Sequence, residues 1–425
     1  MRTLAYWLAI AFVFTIPWEA AIRFSEIGRG SKALGLAAGI IWLVSVIGRR
    51  RLRQPAGLHK AYFLFLVWNG LTFYWTIDTG VTRGGFITYT QIFLMLVMLW
   101  DLFDTRRAIE TAMQAYVLGA FITSGSIISN YLAEPSSRFP AHERFNALGF
   151  QTDGVALIVA IAAPAAWYLA VGPPSDSRSL AIRTLNFAYM PIGLLALLST
   201  GTRGATLASI PTAILILWSL QRTRGATRII ALTAVAVAVV SVIEFAPRGP
   251  LARIGTVGTA TQLGDDGGAL SGRWSIWAES RRIFLERPLT GVGLDAHRTA
   301  VAPAISERTI FKNVDKEAHN TYLSVLAETG IVGFLLFAGA IASVLARVRR
   351  LSRWLAWYWW SQLAVLAIGA MSLSLEDSKS VWIFLVLAVG MSAVATTEPA
   401  ALARDRMKPA GTSARRAIGQ PQPQR

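Results

Sequence analysis

The sequence contains 425 residues, of which 54% are hydrophobic and only 15% are charged, and its mean hydropathy is +0.47. These values are typical of polytopic membrane proteins and exclude an ordinary soluble domain. The formal net charge is +17, but many basic residues lie in short clusters between apolar runs, where they set membrane orientation and do not indicate a nucleic-acid ligand. The chain has no cysteine, which excludes disulfides, thiolate catalysis and iron–sulfur clusters.

A membrane-spanning helix needs about 17 to 25 mostly apolar residues, and the sequence contains about twelve such runs. They lie near residues 4–22, 33–48, 58–77, 86–103, 108–132, 154–171, 185–200, 205–220, 229–246, 319–345, 354–374 and 380–396. The first run has no cleavage site of the A-x-A type, so we interpret it as a retained span. The sequence therefore predicts an all-α polytopic membrane protein, with one transmembrane domain over residues 1–396 and a disordered basic tail over 397–425.

Arginine clusters predict the orientation of these spans. Alternate numbering of the connecting segments puts all the clusters on one side, which the positive-inside rule makes the cytoplasm. The clusters are Arg49 to Arg53, Arg106 and Arg107, Arg222 to Arg228, and Arg347 to Arg353. Both termini fall on the same side, so we expect a multi-pass protein of a bacterial inner membrane with its opposite face in the periplasm.

On the predicted periplasmic side, one segment, residues 247–318, is long enough to form a small lid over the membrane. Within it the spacing of apolar residues predicts an amphipathic helix over 271–288, with Ser271 as N-cap and Pro288 as stop. The apolar face of this helix comprises Ile276, Trp277, Ile283 and Phe284. We expect the helix to lie in the outer interface or to roof a cavity.

The other predicted periplasmic loops offer little for a divalent metal. The loop from Arg23 to Lys32 has Glu26 as its only acid, whereas a divalent metal on a lipid phosphate needs paired carboxylates. A Gly-rich loop contains Asp265 and Asp266, a weaker alternative site. A further loop, about 133–153, contains Arg138, His142, Glu143 and Arg144; contact with a substrate is the alternative, but we interpret the loop as a solvated surface. We therefore expect metal-independent chemistry and no cofactor.

A polar run ends at His319 and Asn320, and an apolar segment then continues towards Ala346. The histidine lies at the predicted N-terminus of a membrane helix, where the positive end of the helix dipole disfavours imidazolium. A neutral imidazole can accept a proton, so His319 is a candidate general base. A capping or packing role is the alternative for His319, and Asn320 is either an acceptor-binding or a structural residue.

Two arginines on the same predicted side are candidate anion ligands. Arg203 lies in a tight turn next to the start of a span, and Arg273 lies near the start of the amphipathic helix. A guanidinium beside helix N-terminal amides makes a phosphate site. The pentapeptide TRGAT at 202–206 recurs at 223–227, but a whole span separates the two copies, so Arg224 is interpreted as an orientation charge. An anion held by Arg203 and Arg273 beside a neutral base is typical of a transferase site.

The motifs STGTRGA, ERPLTGVGLDAH and EAHNTYLSVLAETGIVGF, with an arginine opening a helix in a long external loop, resemble the O-antigen ligase family. The resemblance covers roughly residues 185–346, and the twelve-span layout extends it over the chain. It implies an integral-membrane glycosyltransferase of the GT-C type that acts in lipopolysaccharide biosynthesis. Such an enzyme moves a polysaccharide from undecaprenyl diphosphate to a sugar hydroxyl of the lipid A core at the periplasmic face.

The resemblance also implies roles for single residues. Arg203 and Arg273 would hold the diphosphate, and His319 would deprotonate the acceptor, with inversion at the anomeric carbon. An acidic position of the family near the last external turn corresponds to Glu376 or Asp377.

Glu328 is a further candidate because an intramembrane carboxylate is functional by default. It lies about two and a half turns beyond His319 and on the opposite face. We therefore expect Glu328 to pair with a neighbouring helix or a polar backbone end.

Three alternatives remain open at this point. An O-antigen polymerase or a protein O-oligosaccharyltransferase of the same superfamily would share the donor and differ in the acceptor. A twelve-span transporter or flippase belongs to a different class, and its signature would be broken helices in matching halves. The sequence shows neither an internal repeat nor such helices.

Overall fold

The computed structural model describes residues 1–21, 23–24, 28–133, 144–147, 149, 151–172, 178–245, 269–308 and 317–406. These residues contain fourteen α-helices and one antiparallel pair of two-residue strands, β1 (Arg23–Phe24) and β2 (Gly28–Arg29). The helices are α1 (Arg2–Thr15), α2 (Gly30–Arg49), α3 (Gly57–Leu71), α4 (Thr79–Leu102), α5 (Arg106–Ala133), α6 (Thr152–Val171), α7 (Leu180–Ser199), α8 (Arg203–Leu220), α9 (Gly225–Phe245), α10 (Ala269–Glu286), α11 (His297–Arg308), α12 (Thr321–Val348), α13 (Arg353–Ala370) and α14 (Lys379–Arg406).

Each of the twelve predicted spans overlaps one of these helices. Among the described residues, nine helices are long and apolar enough to cross a membrane: α2, α4, α5, α6, α7, α8, α9, α12 and α14. The other three overlapping helices are α1 and α3, which are shorter, and α13, which contains four tryptophans and an arginine. The prediction of an all-α polytopic membrane protein is confirmed.

Helix α6 lies at the centre of the bundle. Within the apolar windows of the spans, 89% of the residues of α6 and 72% of those of α14 are buried, against 17% in α9 and 22% in α2. Many positions of α6 are alanine, and small side chains allow neighbouring helix backbones to approach closely. The buried helices α6 and α14 therefore form a fixed core, while α2 and α9 present most of their side chains outwards.

The arginine clusters lie at one end of the bundle, which we call the basic end. Ion pairs fix several of them: Arg49 lies 3.1 Å from Asp101 of α4, and Arg106 lies 3.0 Å from Glu110 one turn further along α5. The guanidinium of Arg53 stacks over the ring of Trp100 at 3.5 Å. The opposite end, where α6, α8, α12 and α14 begin, is called the site end.

Helices α10 and α11 form a small layer that packs on α12 at the site end. Their contacts create a second buried cluster, which consists of Ile276, Ile283, Val292, Ala296, Val301 and Ala327. The predicted amphipathic helix therefore exists with the predicted apolar face, but it begins at Ala269. Ser271 lies inside α10 and is not its N-cap, because Ala269 and Leu270 are themselves good helix formers.

Helix α12 is broken at Gly330, where φ is +65°, a feature that the sequence analysis did not expect. The backbone of residues 288–293 packs directly against this break: Val292 N–H donates to the carbonyl of Ala327 at 3.0 Å, and Ile331 N–H to that of Pro288 at 2.8 Å. A Cβ on Gly330 would lie 2.3 Å from the carbonyl carbon and oxygen of Leu289. Only glycine fits this contact, because it needs both a positive φ and no side chain.

Helix α14 continues to Arg406, beyond residue 397 where the disordered tail was expected to begin. Six of the residues 397–406 are alanine, leucine or arginine, which are strong helix formers. Residues 407–425, the rest of the predicted tail, lie outside the described residues.

Candidate functional site

Asp153, in the first turn of α6, joins three segments at the site end. Its Oδ2 accepts a hydrogen bond from Arg273 of α10 at 3.1 Å, and its Oδ1 pairs with Arg144. The hydroxyl of Thr202 donates to Oδ1 at 3.3 Å and accepts from Arg144 at 3.2 Å. Arg144 is thus part of an ion-pair network, and its interpretation as a solvated surface residue was wrong.

Arg203 is the first residue of α8, and Thr202 is the N-cap of that helix. Because Thr202 hydrogen-bonds to Asp153, the start of α8 lies beside the carboxylate that holds Arg273. The two predicted anion ligands, Arg203 and Arg273, therefore lie on different helices but in one region of the structure. The first amides of α8 have no intrahelical partner and point towards the same end.

Asn320 is the N-cap of α12. Its side-chain oxygen accepts from the backbone N–H of Tyr322 at 3.0 Å and of Leu323 at 3.2 Å. Asn320 therefore has a structural role, and an N-cap of this kind stabilises a helix by about 1 kcal/mol. Its acceptor-binding role stays a prediction.

His319 precedes this cap and is half-buried, with a positive φ of 46°. The charge of Asp153 acts on His319 as well as on Arg273. The negative carboxylate favours the protonated ring, opposite to the effect of the helix N-terminus. His319, Arg273 and Asp153 thus form one electrostatic group.

The turn between α13 and α14, residues 371–378, is fixed against the start of α12. Thr321 N–H donates to the carbonyl of Leu373 at 3.1 Å, and the Thr321 hydroxyl accepts from Leu375 N–H at 2.8 Å. A Cβ on Gly204 would lie 2.3 Å from the Ser372 hydroxyl, so the same turn also contacts the start of α8. The turn closes the gap between the Arg203 and His319 segments.

Glu328 is buried in α12 and accepts a hydrogen bond from the backbone N–H of Asp295 at 3.0 Å. This contact confirms the expectation that Glu328 pairs with a polar backbone group. Ser324 donates to Glu376 at 2.5 Å and lies 3.5 Å from Glu328. The two carboxylates are therefore connected through one hydroxyl.

The structure distinguishes the two acids of the last turn. Glu376 is buried, whereas Asp377 is exposed on the wall of a cavity. Burial, and then the charge of Asp377, raises the pKa of Glu376. Partial desolvation and the charge of Asp377 also raise the pKa of Asp295, on the same wall, to about 6. Glu376 is held protonated more readily than an ordinary carboxyl, and Asp377 is the acid that a ligand can reach.

A cavity of about 750 Å³ opens at the site end. Its lining includes Gly154, the neighbour of Asp153 in the sequence, and Ala318, the neighbour of His319. The cavity therefore extends to the electrostatic group of Asp153, Arg273 and His319. Hydroxyl, amide and carboxylate side chains line much of the wall, among them Thr88, Gln91, Asp295, Ser374 and Asp377. Such a wall suits a ligand rich in hydroxyl groups, because each hydroxyl can donate to a carboxylate or exchange hydrogen bonds with an amide.

No group of three or more histidine or acidic residues in the described part of the chain has the geometry of a metal site. The alternative metal position of the sequence analysis, Asp265 and Asp266, and the single acid Glu26 of the first external loop lie outside the described side chains. The expectation of metal-independent chemistry therefore stays a prediction.

Asp153, Thr202 and Asp295 are the site residues that the sequence analysis missed. The sequence contains one signal for Asp153, because an acid in the first turn of an apolar helix complements the helix dipole. In the fold this acid lies next to the predicted phosphate site. Asp295 lies inside the quoted motif ERPLTGVGLDAH but was not singled out. Its approach to Glu328 depends on the break of α12, which no local pattern indicates.

Residues 188–338 match the family model described as O-Antigen ligase. The matched segment contains α8, α10, α11 and the first part of α12, and therefore includes Arg203, Arg273, His319 and Glu328. Asp153 and Glu376 lie outside it. No curated protein matches this sequence.

Proposed function

We propose that this chain, whose residues 188–338 match the O-antigen ligase family model, acts as a member of that family and transfers a polysaccharide from undecaprenyl diphosphate to a sugar hydroxyl of the lipid A core. The reaction is that of a metal-independent, inverting glycosyltransferase of the GT-C type. The family includes ligases and polymerases, which share a lipid-linked glycan as donor. The acceptor is therefore the point at which the proposal needs its sharpest test.

One observation carries the proposal: Asp153 ties Arg273 to the start of α8, where Arg203 lies, and its charge also acts on His319. Two guanidinium groups and a helix N-terminus suit a diphosphate, since a bidentate fork and free amides both match phosphate oxygens. A base beside this anion site is the arrangement that glycosyl transfer requires.

In the proposed mechanism, Arg203, Arg273 and the first amides of α8 hold the diphosphate of the donor. His319 takes the proton of the acceptor hydroxyl as the oxygen attacks the anomeric carbon. The bond from that carbon to the diphosphate oxygen breaks on the opposite face, so the configuration inverts, and the arginines stabilise the charge that develops on the leaving diphosphate. Asp153 stabilises the imidazolium that forms at His319 through its negative charge.

The cavity supplies room for the sugars next to the reacting groups. Asp377 and Asp295 on its wall are placed to accept hydrogen bonds from sugar hydroxyls, and Gln91 offers both a donor and an acceptor. Glu376 also lines the cavity but is buried and bonded to Ser324, and it is proposed to shape the wall and not to bind sugar directly.

The site end is proposed to face the periplasm, and both termini the cytoplasm, of a bacterial inner membrane. The arginine clusters of the basic end support this orientation through the positive-inside rule. In this cysteine-free chain, single cysteines at Tyr74, which is 87% exposed near the site end, and at Gly225, at the basic end, provide the test. An impermeant thiol reagent should label intact cells at position 74 and not at 225; the reverse pattern would put the site in the cytoplasm.

The function is tested by a transfer assay with purified protein and a defined undecaprenyl-diphosphate-linked glycan. One arm offers lipid A core as acceptor, and the other offers a second lipid-linked repeat unit. The proposal predicts product on lipid A core, unaffected by a metal chelator. Elongation of the lipid-linked repeat alone would identify a polymerase, and activity that chelation abolishes and magnesium or manganese restores would contradict the metal-independent mechanism.

A further inference from the structure

A second cavity, of about 560 Å³, lies at the basic end of the bundle, far from the site described above. Four arginines line it: Arg106 of α5, Arg183 of α7, and Arg222 and Arg224 in the turn between α8 and α9. No acidic side chain is part of the described lining. The cavity is therefore strongly positive, and the proposed glycosyl transfer leaves it without a role.

Three of these arginines are not neutralised within the described part of the chain. Arg106 pairs with Glu110 at 3.0 Å, but Arg183, Arg222 and Arg224 have no acidic partner at ion-pair distance among the described residues. The Nε atom of Arg183 is buried and has no hydrogen-bond acceptor in the same part of the chain. An anion in the cavity would supply the missing acceptor and the missing charge.

Tryptophans surround the same cavity. Trp354 lines it, stacks on Trp218 at 5.4 Å, and has a buried Nε1 with no hydrogen-bond partner among the described residues. Trp357 stacks on the same Trp218 at 5.1 Å, and the guanidinium of Arg222 lies 4.4 Å from the Trp218 ring. Tryptophan is enriched at the level of lipid headgroups, so the cavity lies where a phospholipid phosphate would lie.

The cavity also borders the apolar outer surface of the bundle. Leu217 of α8 is 65% exposed and Ile229 of α9 is 68% exposed, and these helices begin or end at the cavity. A ligand with its phosphate on the arginines can therefore lay its acyl chains along these side chains. A soluble phosphate would use only the polar part of this arrangement.

We propose that this cavity binds the phosphate of an anionic phospholipid, with Arg183, Arg222 and Arg224 as its ligands and with the acyl chains on the outer faces of α8 and α9. The lipid anchors the junction of α7, α8, α9 and α13 at one membrane surface. Because α8 begins at Arg203, this junction is also the far end of a helix that contributes to the site.

Native mass spectrometry of the purified full-length chain in detergent, with added lipids, tests the proposal. The unaltered protein should retain phosphatidylglycerol or cardiolipin in preference to phosphatidylethanolamine at equal concentration. Equal retention of the zwitterionic lipid would overturn the proposal, and this comparison needs no variant.

The double variant Arg222→Ala and Arg224→Ala should bind phosphatidylglycerol roughly 25-fold more weakly, from a factor of about five for each basic residue near an anionic headgroup. The control, Arg107→Ala and Arg350→Ala, removes the same charge from exposed positions of the same end that do not line the cavity. Retention by the first variant equal to that of the unaltered protein, or an equal loss in the control, would contradict a specific site.

A third experiment distinguishes binding of the lipid from binding of soluble phosphates. Phosphatidylglycerol should raise the unfolding temperature of the unaltered protein, and glycerol phosphate or inorganic phosphate at the same concentration should not. Equal stabilisation by the soluble anions would overturn the assignment of a lipid.

Discussion

The two ends of the bundle both contain many arginines but differ in what lies beside them. At the basic end, Arg106 and Arg178 meet on Glu110 of α5, which also accepts a hydrogen bond from Tyr168. At the site end, Arg144 and Arg273 lie far apart in the sequence and meet on the single carboxylate of Asp153. Arginines from separate segments thus meet on one acid at both ends, and what distinguishes the site end is the histidine and the helix N-terminus beside that acid.

The repeated pentapeptide TRGAT makes the same comparison within identical local sequence. Arg203 begins α8, and Arg224 follows the end of the same helix, which is about 27 Å long. The two arginines therefore lie at opposite ends of the bundle. Their different surroundings come from the fold and not from their neighbours in the sequence.

The largest effect is expected at His319. Replacement by asparagine, which tolerates the positive φ at this position, should lower the single-turnover transfer rate by roughly 10² to 10⁴, the range of general-base catalysis. Donor affinity should hardly change, because the imidazole acts on the acceptor. A fully active His319→Asn protein would remove His319 from the mechanism.

Arg273 is expected to affect both binding and rate. Arg273→Ala should lower the transfer rate by about 10²-fold and also weaken donor binding, because the guanidinium acts on the diphosphate before and during bond cleavage. Arg273→Lys should recover only part of the loss, since an ammonium cannot replace the bidentate fork. Full activity in the lysine variant would show that charge alone matters.

A substitution at Gly330 tests the backbone contact that positions Glu328 and Asp295 beside the cavity. Gly330→Ala should destabilise the protein by at least about 2 kcal/mol, because alanine disfavours a positive φ and its Cβ would collide with Leu289. Gly339, in the same helix, has open space around it, so Gly339→Ala should stabilise by up to about 1 kcal/mol. Thermal unfolding in detergent measures both, and equal effects would argue against the break.

Asp153 should give the smallest effect. Asp153→Asn leaves both arginines but removes the charge that orients Arg273 and stabilises imidazolium at His319, so the transfer rate should fall about tenfold. Donor affinity should not weaken, because the carboxylate competes with the diphosphate for Arg273. Weaker donor binding with an unchanged rate would instead make Asp153 part of the donor site. Steady-state kcat and a separate donor-binding measurement distinguish the two results.

The helical architecture could be predicted from the length of the apolar runs and from the alternation of basic clusters between them, which are local properties. The position of His319 at the start of a helix could be predicted in the same way. Arg203 and Arg273 were also found by position relative to helix ends. These features need only a one-dimensional pattern, because a membrane fixes where each helix begins and ends.

Asp153, Arg144 and Asp295 could not be placed in this way. Their partners lie on other helices, and the contacts depend on packing that the sequence pattern does not specify. The break at Gly330 is likewise tertiary, since it is stabilised by the backbone of residues 288–293. The positions of Arg203, Arg273 and His319 near helix starts were therefore predictable, whereas Arg144 and the carboxylates that connect these segments were not.

A matched pair of arginines tests most directly whether the site end performs the transfer. Arg203 and Arg353 are each the first residue of an apolar helix, α8 and α13, but at opposite ends of the bundle. Single-turnover transfer from the lipid-linked donor should fall by about 10²-fold in Arg203→Ala and stay unchanged in Arg353→Ala, with both proteins correctly inserted. Equal loss in the two variants, or full activity in Arg203→Ala, would contradict the account.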